Sequence, residues 1–175
     1  TISHLVDPDS SLYDGRKKFV SSKFKNTPDC VQDVRKVLDN KEVDVISIAT
    51  PNHWHSLMSI WACQAGKDVY VEKPLSHNIF EGRKLVEAAK KYGRIVQHGT
   101  QNRSIQRWAD QAQEIAAGKH GKLEVALGTC HKRRGSIGFK NTEKPPASLD
   151  FDIWTGPAQK EDFHKNLVHY NWHWF

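Results

Sequence analysis

Apolar and polar positions between residues 43 and 74 change their period twice, which predicts a strand, a helix and a second strand. The apolar run at 45–48 has the character of a strand buried on both faces, and Pro51 ends it because proline has no N–H to donate. Residues 53–65 then repeat apolar side chains at helical spacing, and Gly66 provides a stop for this helix. The second strand is predicted at 68–71, so the stretch forms a βαβ unit.

The same alternation of strands and helices extends over most of the chain. Further strands are predicted at 2–6 and 94–98, with helices at 11–20, 27–40, 78–92 and 105–116. The helix at 27–40 is predicted from its first three residues, Thr27, Pro28 and Asp29. They are a typical capping residue, a first-turn proline and an acidic residue. Short strands that alternate with helices indicate an α/β fold with a Rossmann-type doubly wound parallel sheet.

The pattern changes after residue 122, where we place a domain boundary. Residues 1–122 are predicted to form one Rossmann-type domain around the parallel sheet. Residues 123–132 partly alternate polar and apolar side chains and are predicted to form a longer strand, followed by a loop rich in Lys, Gly and Pro. We therefore expect residues 123–175 to begin an α+β C-terminal domain with an antiparallel sheet.

Composition narrows the class of protein without deciding it. With 175 residues and 38% hydrophobic side chains, the chain can bury one core, or one domain and part of another. No apolar run is long enough to cross a bilayer, and the three cysteines form no CxxC pair, which favours free thiols. The net charge of +6 is spread mainly over helix faces. We therefore expect a mildly basic cleft for an anionic cofactor, and neither a nucleic acid nor a membrane as partner.

Polar residues at the predicted strand ends are the candidates for chemistry, because open parallel sheets bind ligands beyond the carboxyl ends of their strands. Asp7 follows the first strand, where dinucleotide-binding folds hydrogen-bond the adenosine ribose, although it could equally open the turn at Pro8. Glu72-Lys73-Pro74 follows the second strand of the βαβ unit. His53 and His55 suggest a metal pair, but residues two apart on a helix point in different directions and no further ligand motif accompanies them.

Five motifs together indicate a family. In chain order they are A-T-P-N-x-x-H at 49–55, E-K-P at 72–74, G-T-Q-N-R-S at 99–104, D-x-x-x-W-x-G-P at 150–157 and N-W-H-W-F at 171–175. With these motifs the chain resembles the Gfo/Idh/MocA family of NAD(P)-dependent oxidoreductases, the relatives of glucose–fructose oxidoreductase and inositol dehydrogenase. The resemblance covers nearly the whole chain, and E-K-P is a specific signal because it follows a βαβ unit here.

The resemblance implies a role for each motif. Lys73 would lie beside the nicotinamide and the substrate and assist hydride transfer, since an ammonium group can hydrogen-bond the reacting hydroxyl. The peptide bond before Pro74 would be a candidate for the cis form. The resemblance also implies a set of cofactor-binding residues. At the adenosine, pyrophosphate and ribose end they are Asp7 at the adenosine ribose and Thr50, Pro51, Asn52 and His55 at the pyrophosphate and ribose. At the other end they are Glu72 at the nicotinamide ribose, Lys73 and Pro74 beside it, Gln101 at the nicotinamide, and Trp154 with the aromatic residues at 172–174, which would close the site. NAD is expected rather than NADP, because the carboxylate of Asp7 would repel a 2′-phosphate.

The activity that the resemblance implies is hydride transfer between NAD(P) and a secondary hydroxyl of a sugar, polyol or glycoside. One alternative is an NAD-dependent glycoside hydrolase or lyase of the same family, and another is a non-catalytic nucleotide-binding fragment. The expected partners are a small carbohydrate or polyol substrate and further copies of the chain in a dimer or tetramer. The cytoplasm is the default location, with periplasmic export left open.

Two features of the family are missing from these 175 residues. No G-x-G-x-x-G phosphate-binding loop occurs, and no G-x-H-x-x-D motif supplies an acid–base histidine. In the strand order 3-2-1-4-5-6, the strand that carries the glycine loop lies between the strand ending at Asp7 and the strand ending at Thr50. We therefore expect a gap in the sheet and a fragment of a longer polypeptide, with little dehydrogenase activity of its own. An intact mass near 20.0 kDa would contradict this expectation.

Overall fold

The computed structural model describes residues 1–129 and 135–169 of the chain. The strands and α-helices in this part are, in order, β1 His4–Val6, α1 Tyr13–Phe24, β2 Asp29–Val31, α2 Arg35–Leu38, β3 Val45–Ile48, α3 Asn52–Gln64, β4 Asp68–Glu72, α4 Ile79–Tyr92, β5 Val96–Gly99, α5 Gln106–Ala116 and α6 Phe151–Thr155. Short 3₁₀ helices at Ser10–Leu12 and Gln101–Ser104 precede α1 and α5. Within the described ranges, no helix is long and apolar enough to cross a bilayer.

The strands pair in parallel, as the alternation of elements predicts. β1 pairs with β2, and β3, β4 and β5 form a three-stranded sheet with β4 in the centre. Each pair of hydrogen-bonded neighbours is connected through a helix, because the ends of parallel strands are too far apart for a tight turn. The predicted Rossmann-type α/β fold is confirmed.

The parallel sheet is incomplete between β1 and β3. In the part of the chain that the structure describes, these two strands do not pair, and a cavity of about 1190 Å³ is lined by residues of both. In the strand order 3-2-1-4-5-6, β2 and β1 take the first two places and β3, β4 and β5 take the last three. The place between them is open, so the gap predicted from the sequence is confirmed.

Helices α3 and α4 cover one face of the three-stranded sheet. The buried apolar side chains at this contact are Ile46, Ile48, Val69 and Val71 of the strands, Met58, Ala62 and Cys63 of α3, and Leu85 and Ala88 of α4. Full burial of a single large aliphatic side chain contributes about 1.5–3 kcal/mol, so this cluster fixes the strands whose ends carry the E-K-P and G-T-Q motifs.

The prediction that β3 is buried on both faces is wrong. Its residues alternate between exposed and buried, and Val45 keeps 56% of its surface exposed. The physical reason is that α3 and α4 form a layer on one face only, while the other face of β3 borders the open place beside β1.

The prediction of a helix at 27–40 is also wrong for the first half of this range. Residues Asp29–Val31 form β2, with Cys30 opposite Leu5, and a helix forms only at Arg35–Leu38. The N–H of Asp29 donates to the carbonyl oxygen of Ser3 at 2.9 Å. Pairing with a strand distant in sequence therefore outweighs the local preference of Thr27-Pro28-Asp29 for a helix start.

The longer strand predicted at 123–132 is not formed over residues 123–129, where Leu123, Val125 and Leu127 are all exposed. An alternating segment becomes a strand only when a neighbouring strand pairs with it, and none does so within the described residues. The antiparallel sheet expected in this region is absent from the described part of the chain. The boundary at residue 122 stays a prediction, and the aromatic residues at 172–174 lie outside the described residues.

Candidate functional site

The carboxyl ends of β3, β4 and β5 lie at the same edge of the sheet because the strands are parallel and in register. Ile48 is opposite Val71, and Glu72 is opposite Gly99. The loops that follow these strands therefore emerge side by side, as ligand-binding loops do in open α/β sheets.

One cavity at this edge is lined by most of the site residues that were predicted from the sequence. The predicted site residues among those that line it are Asp7, Thr50, Pro51, Asn52, Lys73 and Trp154. The cavity of about 1190 Å³ extends from these strand ends into the open place between β1 and β3. Four predicted residues, His55, Glu72, Pro74 and Gln101, do not line it.

Asp7 stands immediately after β1, at the far side of the cavity from Lys73 along the sheet order. Its Oδ1 accepts a hydrogen bond of 2.9 Å from the N–H of Asp9, which fixes the carboxylate over the turn at Pro8. Burial raises the pKa of the Asp7 carboxyl group, although the hydrogen bond from Asp9 works in the opposite direction. This geometry is compatible with both interpretations of Asp7, as a turn-forming residue and as a ligand of the ribose. A carboxylate that forms a turn retains free lone pairs for a ribose hydroxyl.

The start of α3 faces the same cavity. Pro51 precedes the first helical residue in an extended conformation, and no side chain caps the helix there. The positive end of the helix dipole therefore opens onto the space that Thr50, Pro51 and Asn52 line. Such an uncapped helix start is suited to a phosphate group.

His55 lies beneath the cavity and has a structural contact at each ring nitrogen. It is only 1% exposed, with Nδ1 at 2.6 Å from the carbonyl oxygen of Pro74 and Nε2 at 2.9 Å from that of Thr50. The ring thus ties the end of β3 to the residue that follows Lys73. A direct cofactor contact of His55 stays a prediction.

Lys73 is exposed at the end of β4 and lines the cavity. The Lys73–Pro74 peptide bond is cis, as the resemblance indicates. Next to it, the N–H of Lys73 donates to Glu72 Oε2 at 3.2 Å, and the amide of Gln101 donates to Glu72 Oε1 at 2.6 Å. Glu72 and Gln101 are therefore in contact with each other beside the lysine.

The D-x-x-x-W-x-G-P motif forms α6, which packs against the first turn of α3. Asp150 caps α6 by accepting from the N–H of Ile153 at 3.0 Å. Trp54 Nε1 donates to the carbonyl oxygen of Ile153 at 3.0 Å, and His53 Nε2 lies 3.2 Å from that of Trp154. A carbonyl oxygen can only accept, so the His53 ring donates from Nε2.

His53, Trp54 and Gly156 are site-supporting residues that sequence reasoning missed. Burial lowers the pKa of His53. Gly156 has a positive φ of 50°, and a Cβ atom at this position would overlap the ring of Trp54. Trp54 lies within the A-T-P-N-x-x-H motif, and Gly156 lies within the D-x-x-x-W-x-G-P motif. The occurrence of both motifs in one chain was the sequence signal for this contact.

Among the described residues, no group of three or more His, Cys, Asp or Glu side chains is arranged to hold a metal ion. His53 and His55 instead contact backbone carbonyl oxygens on opposite sides of α3.

A parallel α/β sheet with an acidic residue after β1 and polar loops at the carboxyl ends of its strands is the arrangement typical of dinucleotide-binding domains. The model of the GFO_IDH_MocA family, described as an oxidoreductase family with an NAD-binding Rossmann fold, matches residues 2–100. The chain belongs to this Gfo/Idh/MocA oxidoreductase family, and its N-terminal part is the NAD-binding Rossmann domain.

Comparisons with individual proteins agree with this membership. The chain is 36% identical over 91 residues to the scyllo-inositol 2-dehydrogenase (NAD(+)) of Bacillus subtilis, which covers 52% of this chain and 27% of the relative. It is 28% identical over 94 residues to a glycosyl hydrolase family 109 protein of Shewanella pealeana, covering 51% of this chain and 21% of that protein. The crystal structure of an NAD binding oxidoreductase from Klebsiella pneumoniae superimposes with a TM-score of 0.55 at 29% identity, covering 66% of this chain and 30% of the other. The matched part of the chain thus spans between a fifth and a third of these proteins.

Proposed function

We propose that the protein containing this chain transfers a hydride between NAD and a secondary hydroxyl group of a sugar, polyol or glycoside. The observation that carries the proposal is the position of Lys73 at the end of β4, lining the same cavity as Asp7 and the start of α3. In this proposal Lys73 would handle the proton at one side of the cavity, and Asp7 and the start of α3, which line it as well, would hold the adenosine and the phosphates. The similarity to an inositol dehydrogenase supports a polyol or sugar as the substrate.

In this proposal the residues would hold NAD in the following way. Asp7 would accept hydrogen bonds from the adenosine ribose, and its negative charge favours NAD over NADP. Thr50, Pro51 and Asn52 would hold the pyrophosphate at the start of α3. Glu72 would accept from the nicotinamide ribose, and Gln101 and Trp154 would border the nicotinamide end of the site.

The chemistry requires a hydride acceptor and a group that handles the hydroxyl proton. NAD supplies the acceptor when bound. Lys73 would hydrogen-bond the reacting hydroxyl oxygen and take part in moving its proton as the carbonyl forms. The histidine of the G-x-H-x-x-D motif, which these 175 residues lack, would share that proton in the full-length protein.

The direct experiment is a substrate panel with the full-length protein and NAD. Inositols, hexoses and glycosides would be supplied one at a time while the absorbance of reduced nicotinamide is followed. Steady NADH formation with at least one secondary alcohol is the expected result. No NADH with any member of the panel, by a protein that demonstrably binds NAD, would contradict the dehydrogenase proposal.

A second candidate is cleavage of a glycosidic bond with NAD reduced and reoxidised within each turnover. The similarity to a glycosyl hydrolase family 109 protein favours it. The same panel separates the two candidates, because glycoside cleavage would release sugar and aglycone with no net accumulation of NADH. Assembly into a dimer or tetramer and a cytoplasmic location stay predictions.

A further inference from the structure

Three polar side chains form a closed triangle of hydrogen bonds at the ends of β4 and β5. Gln101 Nε2 donates to Glu72 Oε1 at 2.6 Å and to Tyr70 Oη at 3.2 Å. Tyr70 Oη in turn lies 3.4 Å from Glu72 Oε1 and donates to it. The second carboxylate oxygen of Glu72 accepts from the N–H of Lys73 at 3.2 Å. Both oxygens of this carboxylate are therefore held by the protein.

The triangle lies on the open face of the sheet. Tyr70 and Glu72 are two residues apart on β4, so they point to the same face, opposite to the face on which Val69 and Val71 pack against helices. Gly99, the neighbour of Glu72 on β5, leaves the room that this arrangement needs. A Cβ atom at Gly99 would stand 3.0 Å from Tyr70 Oη and 3.2 Å from the carboxyl carbon of Glu72.

We propose that Tyr70 and Gln101 are positioning residues that fix the carboxylate of Glu72 for the nicotinamide ribose. This inference rests on the proposed function, in which Glu72 contacts that ribose. A carboxylate oxygen has two acceptor positions, so Glu72 Oε2 keeps one for a ribose hydroxyl after binding the N–H of Lys73. Without the triangle, the side chain of Glu72 would sample other rotamers, and part of its hydrogen-bond energy would be lost on ordering it.

The inference assigns Gln101 an indirect role. Its amide nitrogen donates hydrogen bonds to Glu72 and Tyr70. It also assigns a function to Tyr70, which lies outside the E-K-P and G-T-Q motifs. Gly99 is explained as the residue that lets the Tyr70 hydroxyl reach the carboxylate.

The test is the binding of three nucleotides to the full-length protein with Tyr70→Phe, measured by calorimetry. NAD and ADP-ribose both carry the second ribose, whereas AMP carries only the adenosine end. Loss of a hydrogen bond to a charged group should weaken NAD and ADP-ribose by about threefold to tenfold and leave AMP unchanged. Tyr92→Phe on α4 is the matched control, because it removes a tyrosine hydroxyl from the opposite side of the sheet.

A double-substituted protein distinguishes positioning from a purely structural effect. If Tyr70 acts through Glu72, then Tyr70→Phe should add nothing to the loss of NAD affinity caused by Glu72→Gln. Additive losses, equal weakening of AMP, or unchanged NAD binding by Tyr70→Phe would each overturn the inference. If the unsubstituted protein binds AMP but neither NAD nor ADP-ribose, the proposed function fails first, and this inference fails with it.

Discussion

The β3–β4–β5 sheet and the β1–β2 pair come from the same kind of βαβ pattern but are held together differently. The first contributes buried apolar side chains to a continuous cluster with α3 and α4, among them Val71 at 0% and Leu85 at 1% exposure. In the second, no residue of either strand is fully buried. A strand pair at the side of a gap lacks one neighbour, so its apolar side chains have less to pack against.

The β1–β2 side of the molecule is held by hydrogen bonds, two of which reach a distant segment. The N–H of Ser10 donates to the carbonyl oxygen of Ser148, and the N–H of Asp150 donates to that of Pro8, both at 2.9 Å. Asp9 is only 4% exposed and accepts from the hydroxyl of Ser11 at 2.7 Å. The side of the cavity proposed for adenosine is thus held by hydrogen bonds, and the side proposed for the nicotinamide is held by a packed core.

The largest effect that this comparison predicts is on unfolding. Leu85→Ala should lower the free energy of unfolding by about 2–5 kcal/mol, because it leaves a cavity in the packed core. Leu5→Ala in β1 should cost about 1 kcal/mol, since Leu5 is only partly buried. Denaturant titration of both variants measures the difference. Equal losses would show that the two sheets are packed alike.

A smaller loss is predicted for Gly156→Ala. The new methyl group would overlap the ring of Trp54 and push α6 away from α3. We expect a loss of about 1–3 kcal/mol, typical of overpacking. Gly118→Ala is the control, because Gly118 also has a positive φ, of 72°, but no atom within 4 Å of the added carbon. Equal effects of the two substitutions would attribute the loss to backbone strain alone.

The side of the cavity proposed for adenosine should also respond to pH through Asp7. Because burial raises the pKa of Asp7, its carboxylate takes up a proton at a higher pH than an ordinary aspartate. The contribution of Asp7 to the free energy of unfolding therefore increases as the pH falls through the raised pKa. The affinity of Asp7 for the ribose hydroxyls decreases over the same pH range, because the protonated carboxyl group is a weaker acceptor. Asp7→Asn should weaken NAD binding by about tenfold at neutral pH and remove this pH dependence. If the NAD affinity of Asp7→Asn depends on pH in the same way as that of the unsubstituted protein, the proposed role of Asp7 is refuted.

The sequence predicted the elements that local pattern determines. Helix α4 begins and ends within one residue of its predicted bounds, because its apolar spacing and the left-handed Gly93 are local signals. It did not predict β2, whose pairing with β1 is non-local. The contact of Trp54 with Gly156 was missed for the same reason, since the two residues are a hundred positions apart and neither pattern alone requires the other.

The central claim is that Lys73 handles the reacting hydroxyl and contributes little to the affinity for NAD. The direct measurement compares Lys73→Ala with the unsubstituted full-length protein, using NAD binding by calorimetry and NADH formation with a substrate from the panel. Lys41→Ala, at an exposed turn outside the cavity lining, is the matched control. We predict an NAD dissociation constant within about twofold of the original and turnover reduced by at least about a hundredfold. Unchanged turnover, or loss of NAD binding together with turnover, would contradict the account.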